Sequence, residues 1–264
     1  MDDKLLLSIS TLCFLGGFIY AVMALRSGSH NPSRWNMTII GLVFVFQCWF
    51  LQVRGQLHGR CPITSGAEIL VFISWAIVLM YFVLGKAFRL SLLGTFTAPM
   101  VFVFQTTALI FLKMGDTGAQ RKPEVDHWLE MHAALSLLAY GAFALAAVAG
   151  IMYFVQDRQL KSHTPGKLFY KMPPIRYSVD ALIRLLGIGL LLLTIGIVSA
   201  FFMKEFPSAG HLIVSGAVWV IYGLLIAIYV MKKLTPKRLA IAAVGAFLVA
   251  LATLVVLPDT TSPL

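Results

Sequence analysis

Charge is what this chain of 264 residues has least of: Asp, Glu, Lys and Arg together make up 12% of it. A soluble protein of this length could not hide the 59% of hydrophobic residues that fill the rest. Acidic residues are scarcer still, 11 against 21 basic, which leaves a net charge of +10. Nothing resembling a nucleic-acid-binding motif accompanies that excess, so no nucleic acid partner is expected. The basic residues read instead as loops lying against anionic lipid. Cysteine is rare, with three residues and neither a CxxC nor a CxxCH. That excludes a thiol–disulfide relay and a protein carrying haem on its own thioether pair. A basic n-region followed by a small-residue cleavage site is also lacking at Met1-Asp2-Asp3-Lys4, so the first apolar run reads as a retained helix.

What the chain does have is long apolar runs. Eight reach the length needed to cross a bilayer, at roughly 5–25, 36–53, 67–85, 91–112, 128–155, 182–203, 212–231 and 239–257. Backbone polar groups must be paired within each span, so the expected fold class is all-α, a polytopic membrane helix bundle. No repeat or long linker divides it, and residues 1–264 read as a single integral membrane domain. Gly94 and Pro99 are expected to kink the fourth span. The fifth span is crowded with small residues, among them Ala133, Gly141, Ala146 and Gly150, which let other helices approach and predict a central position.

Orientation follows from the loops. One set of alternate loops carries Arg26, Arg34, Lys86, Arg89, Arg158, Lys161, Lys167, Lys171, Arg176 and the group Lys232, Lys233, Lys237 and Arg238. The other carries Lys4, Arg54, Arg60, Lys113, Arg121, Lys122 and Lys204. The richer set is expected on the cytoplasmic side, which puts both termini outside. His30 and His163 then read as solvated cytoplasmic loop residues, while His58, His127, His132 and His211 fall on the outer side with Asp116, Glu124, Asp126, Glu130 and Glu205.

Two stretches carry chemistry. In Asp126–Tyr140, the residues Trp128, His132, Ser136 and Tyr140 recur every fourth position and form one helical stripe. A histidine just inside an apolar span is costly without a partner. His132 is therefore read either as an axial ligand to haem iron or as a packed interfacial histidine bonded to a neighbouring helix. Trp128, Tyr140, Trp219 and Tyr222 are candidate haem walls, or interfacial belt. The second stretch, Arg54–Glu68, is polar and turn-rich. There Arg54, His58 or Arg60 would meet a haem propionate or another anion, or the stretch is a structured loop with Glu68 capping the third span.

Those residues resemble the cytochrome c assembly family, the CcsA/CcmC-like membrane proteins, and most of all its shorter YpjD-like inner membrane members. The similarity runs over about 54–257. "GRCPITSGAEILVFISWAIVLMYFVLG" resembles the family's Gly-Arg-x-Pro loop, Glu and tryptophan-bearing helix, at Gly59, Arg60, Pro62, Glu68 and Trp75. "WLEMHAALSLLAYGAFALAAVAGIMYF" resembles its histidine helix and puts His132 at an implied outer haem ligand, the metal-binding residue of the set. "LIRLLGIGLLLLTIGIVSA" looks like the helix leading into the tryptophan-rich haem loop. Within that loop only Trp219 matches; Met231 stands where a membrane histidine is implied, and "VVLPDTTSPL" holds no second outer histidine. His211 is a candidate replacement partner.

The resemblance implies a multi-pass protein of the bacterial inner membrane that binds non-covalent, b-type haem near the outer face and assists cytochrome c maturation. Implied partners are other maturation proteins and apocytochrome c, besides the lipid bilayer. The apocytochrome's cysteines supply the thioethers, so the expected work is binding and delivery, not ligase chemistry. Two alternatives stand beside it. One is an accessory membrane subunit that kept the fold and lost haem. The other is a transporter, disfavoured because no chain of acids or pair of broken helices lies inside the spans.

Overall fold

The computed structural model describes residues 3–27, 32–84, 93–115, 126–161, 174–204 and 208–256. Eight α-helices account for nearly all of them: α1 (Asp3–Ser27), α2 (Pro32–His58), α3 (Gly66–Leu84), α4 (Leu93–Lys113), α5 (His127–Lys161), α6 (Ile175–Ala200), α7 (Ala209–Val230) and α8 (Pro236–Val256). Among the described residues there is no strand. Seven helices are long and apolar enough to cross a membrane, and within α1 the apolar stretch of described residues is Leu5–Ile19. The chain is therefore an all-α, multi-pass membrane bundle, as its apolar runs predict.

Three helices outrun the apolar spans. Hydropathy marks where the hydrocarbon ends, but a helix continues until its backbone bonds are interrupted. α2 runs through Arg54 to His58 and stops at Gly59, whose φ of 64° suits a glycine closing a helix. Arg54 and His58, read from the sequence as part of a turn-rich loop, are thus helical. α5 continues to Lys161, held in its last turn by a 2.9 Å ion pair from Lys161 Nζ to Asp157. α6 starts seven residues before the apolar span. Its boundary is Pro174, with φ −49° and ψ 140°, a residue that enters a helix but cannot extend one backwards. α4 runs as a single helix through Pro99.

The helices pack as two four-membered rings. In one, α1 touches α2 and α4, and α3 touches α2 and α4. In the other, α5 and α7 each touch α6 and α8. α5 joins the rings, because it packs on α3 and α4 as well as on α6 and α8. Its small residues make that possible. Gly141 lies against the backbone of Ala76 in α3, and Gly150 against the Ala240 carbonyl of α8. Across the α5–α6 seam the small residue belongs to the partner: Gly189 receives the Phe143 ring. The predicted central position of the fifth helix is what the contacts show. His30, His163, Asp116, Glu124 and Glu205 lie outside the described residues.

The alternation of helices brings the start of α1, α3, α5 and α7 and the end of α2, α4, α6 and α8 to one end of the bundle, here the Glu68 end. Leu7, Phe50, Ala67 and Leu112 share one cluster there. The opposite end carries exposed Lys161, Lys232, Lys233, Lys237 and Arg238.

A Cβ on Gly141 would stand 2.7 Å from Ala76 Cβ and 3.0 Å from its carbonyl carbon, whereas one on Gly187 meets nothing within 4 Å. Gly141→Ala should therefore cost about 1–3 kcal/mol. Gly187→Ala should be neutral or slightly stabilising. Thermal unfolding of the two variants in detergent measures the contrast.

Candidate functional site

Glu68 has no exposed surface, and its carboxylate is fully engaged. Oε1 accepts from Arg54 Nε at 2.7 Å, and His58 Nε2 stands 3.0 Å from the same oxygen, off the hydrogen-bonding axis. Oε2 accepts from both the backbone N–H and the hydroxyl of Thr64, at 2.8 Å each. Ser65 Oγ in turn accepts from Glu68 N–H at 3.2 Å, so Ser65 and Glu68 form a variant of the capping box that starts α3. The helix N-terminus also favours the carboxylate. The capping role expected of Glu68 is real, and it recruits Arg54, one turn before the end of α2, and His58, the last residue of that helix. Arg60, in the loop between them, has a buried Nε with no hydrogen-bond partner.

That loop is tied to the second ring. Cys61 N–H donates to Glu130 Oε1 at 2.7 Å, which fixes the loop against the first turn of α5. Burial, with Glu130 and Glu68 nearby, pushes the Cys61 thiol up to about 11. Asp126 anchors the same corner from the other side. Its carboxylate accepts from Lys204 N–H at 2.8 Å and from Trp128 N–H at 3.0 Å, joining the end of α6 to the start of α5. These bonds hold its carboxyl below the usual range, the Lys204 N–H most of all.

His132 lies one turn deeper in α5, 7% exposed. Its Nδ1 stands 2.8 Å from the Gly196 carbonyl of α6. A carbonyl only accepts, so Nδ1 carries the proton, and in the neutral ring it is Nε2 that holds the lone pair. Gly196 permits this approach, since a Cβ there would meet Ser136 Oγ at 3.0 Å. The same carbonyl accepts from Ser199 Oγ at 2.6 Å. Glu130 and Asp126, the acids of the same helix end, are engaged elsewhere. The partner is a backbone oxygen, which side-chain patterns cannot reveal.

His211 comes from the first turn of α7, where Ser208 Oγ accepts its backbone N–H. The His211 ring centroid is 6.1 Å from that of His132, with the planes tilted by 57°. Trp128 stacks on Phe202 at 4.9 Å, and both are largely exposed beside the pair. Trp219 donates from Nε1 to Thr194 Oγ1 at 2.8 Å, on an exposed face of α6 and α7. Tyr140 sits about 12 Å further along α5 and is buried. Tyr222 is buried against Phe143, with ring centroids 3.6 Å apart. The structure thus brings His132, His211 and Trp128 together, ties the Arg60 loop to the same corner, and sets Tyr140 and Tyr222 deeper. His127 is exposed.

Among the described residues, no three His, Cys, Asp or Glu side chains are placed to hold a bare metal ion. A metal here would have to bring most of its own ligands, as a porphyrin does. On the donor side the site fits haem: a buried imidazole with fixed tautomer, a second imidazole beside it, and a buried guanidinium nitrogen in the adjoining loop. Enclosure is another matter. The cleft of about 460 Å³ opens between α2 and α3, walled by Leu51, Gly55, Pro62, Phe72 and Trp75, and His132 does not line it.

Fold and site together define a multi-pass membrane bundle with a histidine pair at one end. The profile of the cytochrome c assembly protein family matches residues 65–258, and the chain belongs to that family. The match begins at Ser65, the residue that starts α3. Protein HemX of Bacillus subtilis (strain 168) is 25% identical over 229 residues, covering 83% of each chain. Protein HemX of Brevibacillus brevis is 26% identical over 190 residues, 67% of this chain and 68% of that one. The cytochrome c biogenesis protein CcsA of Chlamydomonas reinhardtii is 27% identical over 155 residues, 56% of this chain and 42% of that one.

Removing one partner of a buried ion pair strands the other charge. Glu68→Gln should therefore lower stability by about 3–5 kcal/mol, read as a drop in melting temperature in detergent. The Cys61 thiol makes a separate prediction. In a Cys13→Ala, Cys48→Ala background, alkylation at about pH 8 should run roughly a hundredfold slower than for an ordinary thiol. The rate should climb as pH rises towards about 11. Glu130→Gln should accelerate the reaction, since it removes a charge that opposes the thiolate.

Proposed function

We propose that this chain handles haem in cytochrome c maturation, with His132 as the axial ligand. The observation that carries the reading is the 2.8 Å contact from His132 Nδ1 to the Gly196 carbonyl. A metal-binding imidazole is commonly oriented in this way, by a carbonyl that takes the other ring proton. His211, 6.1 Å away, is the candidate second ligand. Arg60 would meet a haem carboxylate with its buried, unpartnered Nε. Trp128, stacked on Phe202, offers an exposed aromatic wall. Haem, held non-covalently, would supply the vinyl groups to which an apocytochrome's thiols add. The protein's own share is to bind and orient the group and shield one face of it from water. Glu68 supports this site indirectly, by fixing the Arg60 loop.

Membership of the family, and the biogenesis role named for the CcsA relatives, support the process. We assign the Glu68 end to the outer face of a bacterial inner membrane, because the exposed lysines and arginines concentrate at the other end. Both termini then lie outside. Residues 1–264 form one integral membrane domain in this reading, of the YpjD-like branch. Partners would be apocytochrome c and other maturation proteins.

A second reading is favoured by one observation: the 460 Å³ cleft is not bordered by His132. In it the chain is an accessory subunit that kept the bundle and binds no haem. Absorption spectra of the protein purified in detergent, with and without added haem, separate the two. The first reading expects a Soret band in wild type that His132→Ala abolishes and His211→Ala shifts or weakens. No band would establish the accessory role instead, and a band indifferent to His132→Ala would overturn His132 as the ligand.

A further inference from the structure

The inside of the α1–α4 ring is built in levels. Leu7, Phe50, Val71 and Ala108, one from each helix, share a cluster near the Glu68 end. Deeper in the ring, Phe14, Ile40, Val78 and Ala98, again one from each helix, line a single small cavity. Between these levels, on the same helical faces, lie Ser10 of α1, Gln47 of α2, Ser74 of α3 and Gln105 of α4. Each is three residues, about one turn, from its upper neighbour. All four are buried, and Gln47, Ser74 and Gln105 have no exposed surface. Four neutral polar side chains therefore form one layer across the ring, enclosed by apolar levels above and below.

Part of the layer is satisfied. Gln105 Nε2 donates to Ser10 Oγ at 3.1 Å, and Ser74 Oγ donates to its own helix at the Leu70 carbonyl. Gln47 is not. Both Oε1 and Nε2 of its carboxamide are buried without a hydrogen-bond partner. Such a group in hydrocarbon is strongly unfavourable, and lipid offers it nothing to bind. The small cavity at the level below is about 10 Å³, close to the volume one water needs. None of the four layer residues lines that cavity, so it is separate from the Gln47 carboxamide.

We propose that this layer is a binding site for buried water, held by the Gln47 carboxamide and linked to the Ser10–Gln105 pair. Water fits the chemistry because it both donates to Oε1 and accepts from Nε2. The layer carries no charged group to pay for the desolvation of an ion.

Hydroxyl-radical footprinting by X-ray pulses, on the protein in lipid nanodiscs and read by mass spectrometry, tests the inference. Radicals form at bound water, so side chains beside it are oxidised even when buried. Phe50 and Phe14 flank the layer, whereas Phe143 and Phe247, equally buried, belong to the other ring. Oxidation of Phe50 and Phe14 should exceed that of Phe143 and Phe247 several-fold in wild type. It should fall to their level in Gln47→Leu, and partly in Gln105→Leu. Equal oxidation of all four phenylalanines in wild type overturns the proposal, as a dry layer closed by a Gln47–Gln105 contact would require. Oxidation of Phe50 that persists unchanged in both variants overturns it too. The wild-type comparison decides even if a variant fails to fold.

Discussion

The close approach of α5 to its neighbours is the constraint on which the rest of the structure depends. Lipid gives helices no hydrophobic reason to associate, so contact has to come from backbones packed tightly enough for dispersion and short polar bonds to act. Gly141 against Ala76 and Gly150 against Ala240 provide that contact on two sides of α5, and Gly189 under Phe143 and Gly196 beside Ser136 on a third. The His132–Gly196 bond is a consequence: it forms because α6 lies close enough for a ring nitrogen to reach a backbone oxygen. Without this approach of α5 the ring of α1–α4 and the ring of α5–α8 would not be joined.

A second theme is how a bundle in hydrocarbon treats each polar group it buries. Glu68 is resolved completely, by Arg54, His58 and Thr64 around one carboxylate. His132 is resolved at one nitrogen and left open at the other, which is the state a metal ligand requires. Gln47 is unresolved at both its polar atoms. The three cases form a series from structural to receptive, and it follows the proposed division of labour. The Glu68 cluster fixes the loop, His132 offers a lone pair, and Gln47 takes up a small neutral ligand. The exposed Trp128–Phe202 pair extends the second of these towards a flat apolar partner.

Much of the architecture was legible in the sequence. Eight apolar runs gave eight helices, and the small residues of the fifth announced its central place. Helix ends were less legible where the chain leaves the hydrocarbon. The 3.6-residue period of α2 continues through Gln47, Phe50, Arg54 and His58, but hydropathy stops before it does, so Arg54 and His58 looked like loop. The stripe Trp128, His132, Ser136 and Tyr140 was correctly seen as one face. It nonetheless serves different partners along its length: Phe202, the Gly196 carbonyl and, for Tyr140, Thr253 of α8. No pattern of side chains could have shown the Gly196 carbonyl as the partner of His132, because the acceptor is backbone.

By itself, then, the sequence determined the solvent, the helices and the family, since length, hydropathy and motif are local properties that no partner can alter. It also determined that His132 and Glu68 needed partners, because an apolar segment cannot satisfy a polar side chain alone. Only the tertiary structure decided who those partners are. That choice depends on which turns of distant helices share a level, and on where a missing Cβ lets two backbones meet. Neither is written in any one stretch of the chain.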